Sequence, residues 1–167
     1  AALGLLPERI RERILILVMG DCGTSYTRIV RTAYEKLPQN ARDAARILPY
    51  SDRIHDFFLA ADFMICTSRY EASPKVIQEP MFFSLPIITT PVFGIPEQVQ
   101  DGRSALFYSP GDHQKLAQHI ERLASDPELR RRLGTTARIS LDRLPSTADM
   151  VAEYERLIRE AYLSTGH

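Results

Sequence analysis

Apolar residues in this chain come in two kinds of run that take turns along the sequence. Ile14-Leu15-Ile16-Leu17-Val18-Met19 and Phe63-Met64-Ile65-Cys66-Thr67 are continuous rather than alternating. Such runs predict strands buried on both faces. Ala45–Leu48, Pro86–Thr90 and Ala105–Tyr108 predict three further strands. Between them the apolar positions switch to helical spacing. Ile29, Val30, Ala33, Tyr34 and Leu37 mark one helix over 26–37, and Ile54, Phe57, Phe58 and Ala61 mark another, with Ser51 or Asp52 as its cap. Helices are also predicted over 1–13, from about Pro74, near 95–100, from Asp112, over 127–139 and over 145–163.

Strand and helix thus alternate about five times through short connections. This order predicts a doubly wound, Rossmann-like α/β domain: a parallel sheet with helices on both faces and extra helices at the C-terminus. Residues 1–167 read as a single domain, without internal repeats or low-complexity segments. The chain opens on a helix, whereas a doubly wound unit normally opens on a strand whose loop carries the phosphate-binding turn. The expectation is that this first strand lies outside the sequence.

Composition narrows the classes of function. The 167 residues carry 21 basic and 21 acidic side chains, twelve of each over 1–111 and nine of each over 112–167. No region is basic enough for nucleic-acid binding by bulk charge. No apolar run approaches the roughly 20 residues of a membrane span. Two cysteines, Cys22 and Cys66, are too few for a disulfide scaffold. The first residues lack the pattern of a signal peptide, so a cytoplasmic setting is expected, with peripheral attachment to the inner membrane open for a longer parent protein.

Signatures of dinucleotide binding, of P-loops, of nucleophile elbows and of zinc proteases are absent. The four histidines are scattered without ligand spacing, and no metal is expected. The informative stretch is Ser68-Arg-Tyr-Glu-Ala-Ser-Pro-Lys-Val-Ile-Gln-Glu79. It leaves the carboxyl end of the predicted strand at 63–67, where open α/β sheets bind ligands. Ser73 is a good N-cap and Pro74 suits the first helical position. The free N–H groups of that turn could hold a phosphate. Glu71 precedes the turn and Glu79 follows on the helix. A carboxylate there repels phosphate but accepts hydrogen bonds from sugar hydroxyls. A surface pair complementing the helix dipole is the other reading of these two residues.

Further segments follow in order: Thr90-Pro-Val-Phe-Gly-Ile-Pro-Glu-Gln-Val-Gln-Asp-Gly102, Phe107-Tyr-Ser-Pro-Gly-Asp112 and Ser125–Gly134. Over residues 14–134 the succession resembles the carboxyl-terminal, donor-binding domain of GT-B fold, family 4 retaining glycosyltransferases. Glu71 and Glu79 match that family's paired glutamates, Ile95-Pro96-Glu97 with Asp101-Gly102 its Gly-x-Pro-Glu segment and following Asp-Gly, and Gly20-Asp21 its Gly-Asp.

The resemblance implies a transferase moving a hexose-type sugar from a UDP- or GDP-linked donor to a saccharide or lipid-linked acceptor, without a further cofactor. It implies that Glu79 holds the donor's ribose. Glu71 would be the catalytic carboxylate on the transferred sugar, with the Ala72, Ser73, Pro74 and Lys75 backbone against diphosphate and sugar. Tyr50, in the loop Pro49-Tyr50-Ser51, would lie where the donor's base is held, and Gly20 would be a further donor-binding residue. Departures from the family pattern are Pro80 (expected to cost a helix bond and kink the helix), Ser84 and Phe93, the last two where glycine is common. The family's basic Arg and Lys have no counterpart here, and its acceptor-binding domain is expected outside the sequence. Arg130-Arg131-Arg132 reads as a solvated helix face. The rival reading is a non-catalytic α/β module that binds a partner, and a sugar-nucleotide epimerase of the same overall fold also stays open.

Overall fold

The computed structural model describes residues 1–164. Helices α1 (Ala2–Leu5) and α2 (Glu8–Arg11) replace the single helix predicted over 1–13, because Pro7 interrupts the backbone ladder. There follow β1 (Ile16–Asp21), α3 (Ser25–Glu35), α4 (Gln39–Asp43), β2 (Ala45–Pro49), α5 (Ile54–Ala60) and β3 (Met64–Ile65). The second half adds α6 (Lys75–Phe82), β4 (Ile87–Thr89), α7 (Ile95–Gln98), β5 (Ala105–Phe107), α8 (His113–Ser125), α9 (Pro127–Leu141) and α10 (Thr147–Ser164). Thr24, Asp112 and Asp126 cap α3, α8 and α9 by accepting the N–H three residues on. Arg53, not Ser51 or Asp52, occupies the N-cap position of α5, and its own N–H is held by Ser51 Oγ at 3.1 Å.

Every strand pairing is parallel, as a doubly wound fold requires. β4 is central to a sheet ordered β3-β4-β5, and successive β4 residues face opposite ways. Ile88 and its register partner Leu106 pack with Leu6 and Ile10 of the first helical segment and with Leu116, Ile120, Leu129 and Leu133 of α8 and α9. Ile87 and its partner Ala105 face the other way, onto Ile77 and Met81 of α6, Ile95 of α7 and Ala137 of α9. Two apolar clusters thus sandwich the sheet.

β1 and β2 form a second, two-stranded sheet that is not hydrogen-bonded to the first. This changes the expected burial. β1 was expected to be covered on both faces, yet Leu17 and Val18 are 40% and 37% exposed. The reason is that β1 pairs only with β2, and β3 only with β4, so one edge of each is open among the described residues. β3 is likewise half-buried rather than fully covered. α10 carries no buried residue.

α6 runs through Pro80 to Phe82, although the N–H that would reach the Val76 carbonyl is absent there. The helix then closes on a Schellman motif: Leu85 N–H donates to Pro80 O at 3.0 Å and Ser84 N–H to Met81 O at 3.0 Å. Ser84 takes the left-handed position, at φ 56°. α9 crosses immediately against this turn through Gly134, where a Cβ would lie 1.8 Å from the Ser84 carbonyl oxygen. The close crossing fixes α6, and with it the loop that leads into the helix.

Candidate functional site

The loop from Ser68 to Pro74 leaves the carboxyl end of β3 and feeds α6, as the sequence predicts. Its internal bonds differ from the expectation in one respect. Ser73 does not cap α6; Pro74 holds the N-cap position and no side chain caps the helix. The Ser73 hydroxyl instead accepts from Gln98 Nε2 of α7 at 3.1 Å. A buried amide 25 positions away competes successfully for the oxygen, and the first N–H groups of α6, Lys75 and Val76, are left without an intrahelical acceptor.

Glu71 is half-buried, and its Oε1 accepts from Ser68 Oγ at 2.6 Å. The Ser68 carbonyl in turn accepts from Thr90 Oγ1 at 2.6 Å, so the carboxylate is tied to the end of β4 through one intermediary. A second tie is direct. Gly94 N–H donates to the Glu71 carbonyl at 3.2 Å, and a Cβ on Gly94 would meet the Ala72 carbonyl oxygen at 1.7 Å. Two loops, each at the carboxyl end of a strand, are therefore pressed backbone to backbone. Glu79 lies on the second turn of α6 and is half-buried, while Ala72 and Lys75 are exposed. Arg69 and Lys75 form no ion pair among the described residues.

Gly20 and Tyr50 come together elsewhere, on the β1–β2 sheet. They line a cavity of about 220 Å³ with Met19, Ser51, Asp52 and Ile54. Gly20 sits at φ 100°, where the β1–β2 register slips between Met19 and Asp21; the left-handed backbone of this bulge is why glycine stands there. Beside it, the Arg31 guanidinium and then the Gly23 N–H hold the Asp21 carboxyl below the usual carboxylate range. The predicted site residues thus form two groups, one on each sheet.

A cavity of about 560 Å³ lies by α8 and α9, lined by Arg122, Asp126, Glu128, Arg131 and Arg132 among others, away from the carboxyl ends of the strands. Arg131 there is paired with Glu128, Arg130 with Asp62 at 3.6 Å, and Arg132 donates to the Gly102 carbonyl. Arg131 and Arg132 are exposed, Arg130 is half-buried, and each of the three has a partner.

Sequence reasoning missed Ser68, Thr90 and Gln98, whose roles depend on contacts made across 3, 22 and 25 positions. It also missed an aromatic pair. Tyr70 and Phe93 stack with centroids 5.3 Å apart and planes inclined by 27°, next to Glu71 and Gly94 respectively. The departure from glycine at Phe93 was the available signal.

Residues 1–140 match the family described as glycosyl transferases group 1. The chain belongs to this family. A group 1 relative, D-inositol 3-phosphate glycosyltransferase of Streptomyces bingchenggensis, is 30% identical over 160 residues, covering 89% of this chain and 34% of its own length. N-acetyl-alpha-D-glucosaminyl L-malate synthase of Bacillus anthracis is 28% identical over 142 residues, 85% of this chain and 36% of that protein. The group 1 chain therefore spans about a third of the curated relatives it matches. Among solved structures, HepE of Anabaena, crystallised with UDP, superposes with a TM-score of 0.79 at 21% identity over 95% of this chain and 43% of HepE. That likeness establishes the GT-B, Rossmann-like fold. Among the described residues of this group 1 domain, no helix is long and apolar enough to cross a membrane.

Proposed function

We propose that this chain is the donor-binding half of a family 4 GT-B glycosyltransferase, which holds a UDP- or GDP-linked hexose while an acceptor hydroxyl displaces the nucleoside diphosphate. The observation that carries the reading is the pairing of an uncapped helix start with two half-buried carboxylates, Glu71 and Glu79, at the carboxyl end of β3. The diphosphate lies against the Lys75 and Val76 N–H groups and the positive end of the helix dipole. Glu79, a turn further along α6, accepts from the ribose hydroxyls. Glu71 keeps Oε2 free for the hexose, because only Oε1 is engaged by Ser68. Gly20 and Tyr50 border the space for the base.

When the acceptor hydroxyl oxygen bonds to the anomeric carbon, the bond to the diphosphate breaks, negative charge grows on the departing phosphate, and the hydroxyl proton is released to that phosphate oxygen or to water. The helix N–H groups face that charge and stabilise it before any solvent must reorganise. By this proposal the nucleotide-sugar is a substrate and the reaction uses no cofactor.

The remainder of the protein, by this proposal, supplies the acceptor-binding domain, the cations that neutralise the diphosphate, and one more strand. The open edges of β1 and β3 support that last assignment. A parallel strand between them turns β2-β1 and β3-β4-β5 into a six-stranded order of the doubly wound kind, 3-2-1-4-5-6. The same strand covers the exposed Leu17 and Val18.

Two substitutions test the assignment by calorimetric titration. Glu79→Gln is expected to weaken UDP and UDP-glucose alike by about 1.5–3 kcal/mol, the worth of charge-assisted bonds to a diol. Glu71→Gln is expected to weaken UDP-glucose only. Wild-type affinity for both ligands in both variants favours the surface-pair reading instead.

A further inference from the structure

Phe93 is a bulky aromatic residue held at φ 45°, a region that non-glycine side chains rarely enter. It is also 65% exposed, and its partner Tyr70 is 81% exposed. Burial therefore does not explain why a strained backbone carries a large ring, and strain at an exposed position points to use by a ligand. The two rings are stacked rather than edge-on, so the pair presents an open π face. The backbones that carry them are joined. Tyr70 directly precedes Glu71 and Phe93 directly precedes Gly94, and the Gly94 N–H to Glu71 carbonyl bond locks these two positions together. The rings and the Glu71 carboxylate are thus carried on one joined stretch of backbone.

We propose that Tyr70 and Phe93 form a plate that receives the C–H face of a hexopyranose ring beside Glu71. A glucopyranose chair carries axial C–H bonds on its ring faces, weakly positive and apolar, and a rim of equatorial hydroxyls. The negative face of an aromatic ring attracts the first, and a carboxylate accepts from the second. The residues that carry the two features are chain neighbours here, Tyr70 directly before Glu71, with Glu71 Oε2 unengaged by any described residue. The plate rests on the reading of this loop as a nucleotide-sugar site, and it adds a determinant of sugar recognition that the paired glutamates do not supply. The pyranose belongs either to the donor or to the acceptor, and both present the same C–H face.

The test uses wild type, Tyr70→Ala and Phe93→Gly, with saturation-transfer NMR and titration. Phe93→Gly relieves the left-handed backbone, and both positions are exposed, so the variants are expected to melt with wild type. The probes are UDP, UDP-glucose, and methyl α-glucoside added to UDP-saturated protein. The expected result is magnetisation transfer from Tyr70 and Phe93 ring protons to pyranose C–H protons, with sugar-bearing probes bound about three- to tenfold more weakly by each variant and UDP unchanged. An effect on UDP-glucose identifies the donor ring; an effect on methyl α-glucoside alone identifies the acceptor. Wild type that binds UDP, with variants that hold every sugar probe as well as wild type does, overturns the plate and leaves the nucleotide reading intact. Wild type that binds neither UDP nor UDP-glucose overturns both. A variant that loses UDP itself overturns the assignment to sugar.

Discussion

Gly94→Ala is the substitution that most sharply couples this fold to its site. Gly94 has φ −76°, which any residue adopts, so its backbone does not call for glycine. The need is for space. An added Cβ would lie 1.7 Å from the Ala72 carbonyl oxygen and 2.9 Å from its carbon, and the obstacle is backbone, which cannot swing aside. Ordinary contact demands roughly twice that first separation, so the 92–94 loop must withdraw from the 71–73 turn. Withdrawal breaks the 3.2 Å bond from Gly94 N–H to the Glu71 carbonyl, worth about 0.5–1.5 kcal/mol. Overpacking adds about 1–3 kcal/mol. The smaller unfolded-state entropy of alanine returns about 0.4–1 kcal/mol. The net loss is about 0.5–4 kcal/mol, a sizeable share of the 5–15 kcal/mol typical of a domain. Urea unfolding followed by circular dichroism measures it, and a parallel UDP-glucose titration should show weakened binding through displaced Glu71. Stability within about 0.5 kcal/mol of wild type, with unmoved amide signals at 70–75, would refute the reasoning.

Gly134→Ala is expected to destabilise by at least about 1 kcal/mol in urea, although alanine in a helix interior is ordinarily favoured by a similar amount, because its Cβ would strike the Ser84 carbonyl at 1.8 Å. His119 is buried, its Nε2–H donates to the Phe107 carbonyl at 2.9 Å, and Nδ1 has no partner among the described residues; burial holds its pKa below the ordinary 6.5, with Lys115 and Arg122 acting in the same direction and the Phe107 bond and Asp101 against it. Its neutral form therefore contributes stability that is complete above pH 6.5 and is lost on acidification towards the lower folded-state pKa, and His119→Gln should flatten that part of a stability–pH profile. The 167-residue chain alone is expected to transfer no sugar when assayed beside a full-length protein with a panel of nucleotide sugars and saccharide or lipid-linked acceptors, since each absent charge-stabilising group costs roughly 10²–10³-fold in rate; comparable turnover by the two would overturn the proposed division of labour.

What the sequence made legible follows from the range of the forces involved. α8 and α9 are visible because each combines a capping Asp with a long apolar stripe, and both signals are local. The position of Glu71 and Glu79 around a helix start at the end of β3 is likewise a matter of local order. α4 escaped because five residues are too few to display a period. The burial of β1 was misread for a different reason. An apolar run records what a strand is able to bury against, and among the described residues no strand pairs with the second edge of β1, which leaves Leu17 and Val18, on opposite faces, partly exposed. Ser73 looked like a cap because its sequence neighbourhood is that of a cap; the competing Gln98 arrives through tertiary packing. The left-handed backbone at Phe93 was equally hidden, since nothing in its side chain favours that conformation.

The central claim, that the loop after β3 and the start of α6 hold a nucleoside diphosphate, is tested most directly by titrating the isotopically labelled chain with UDP, GDP and ADP and following backbone amide shifts. The account predicts saturable shifts concentrated at residues 71–79, largest at the Lys75 and Val76 N–H groups, with a smaller set around Gly20 and Tyr50 where the base is placed. Shifts that leave residues 71–79 unmoved with all three nucleotides would contradict it.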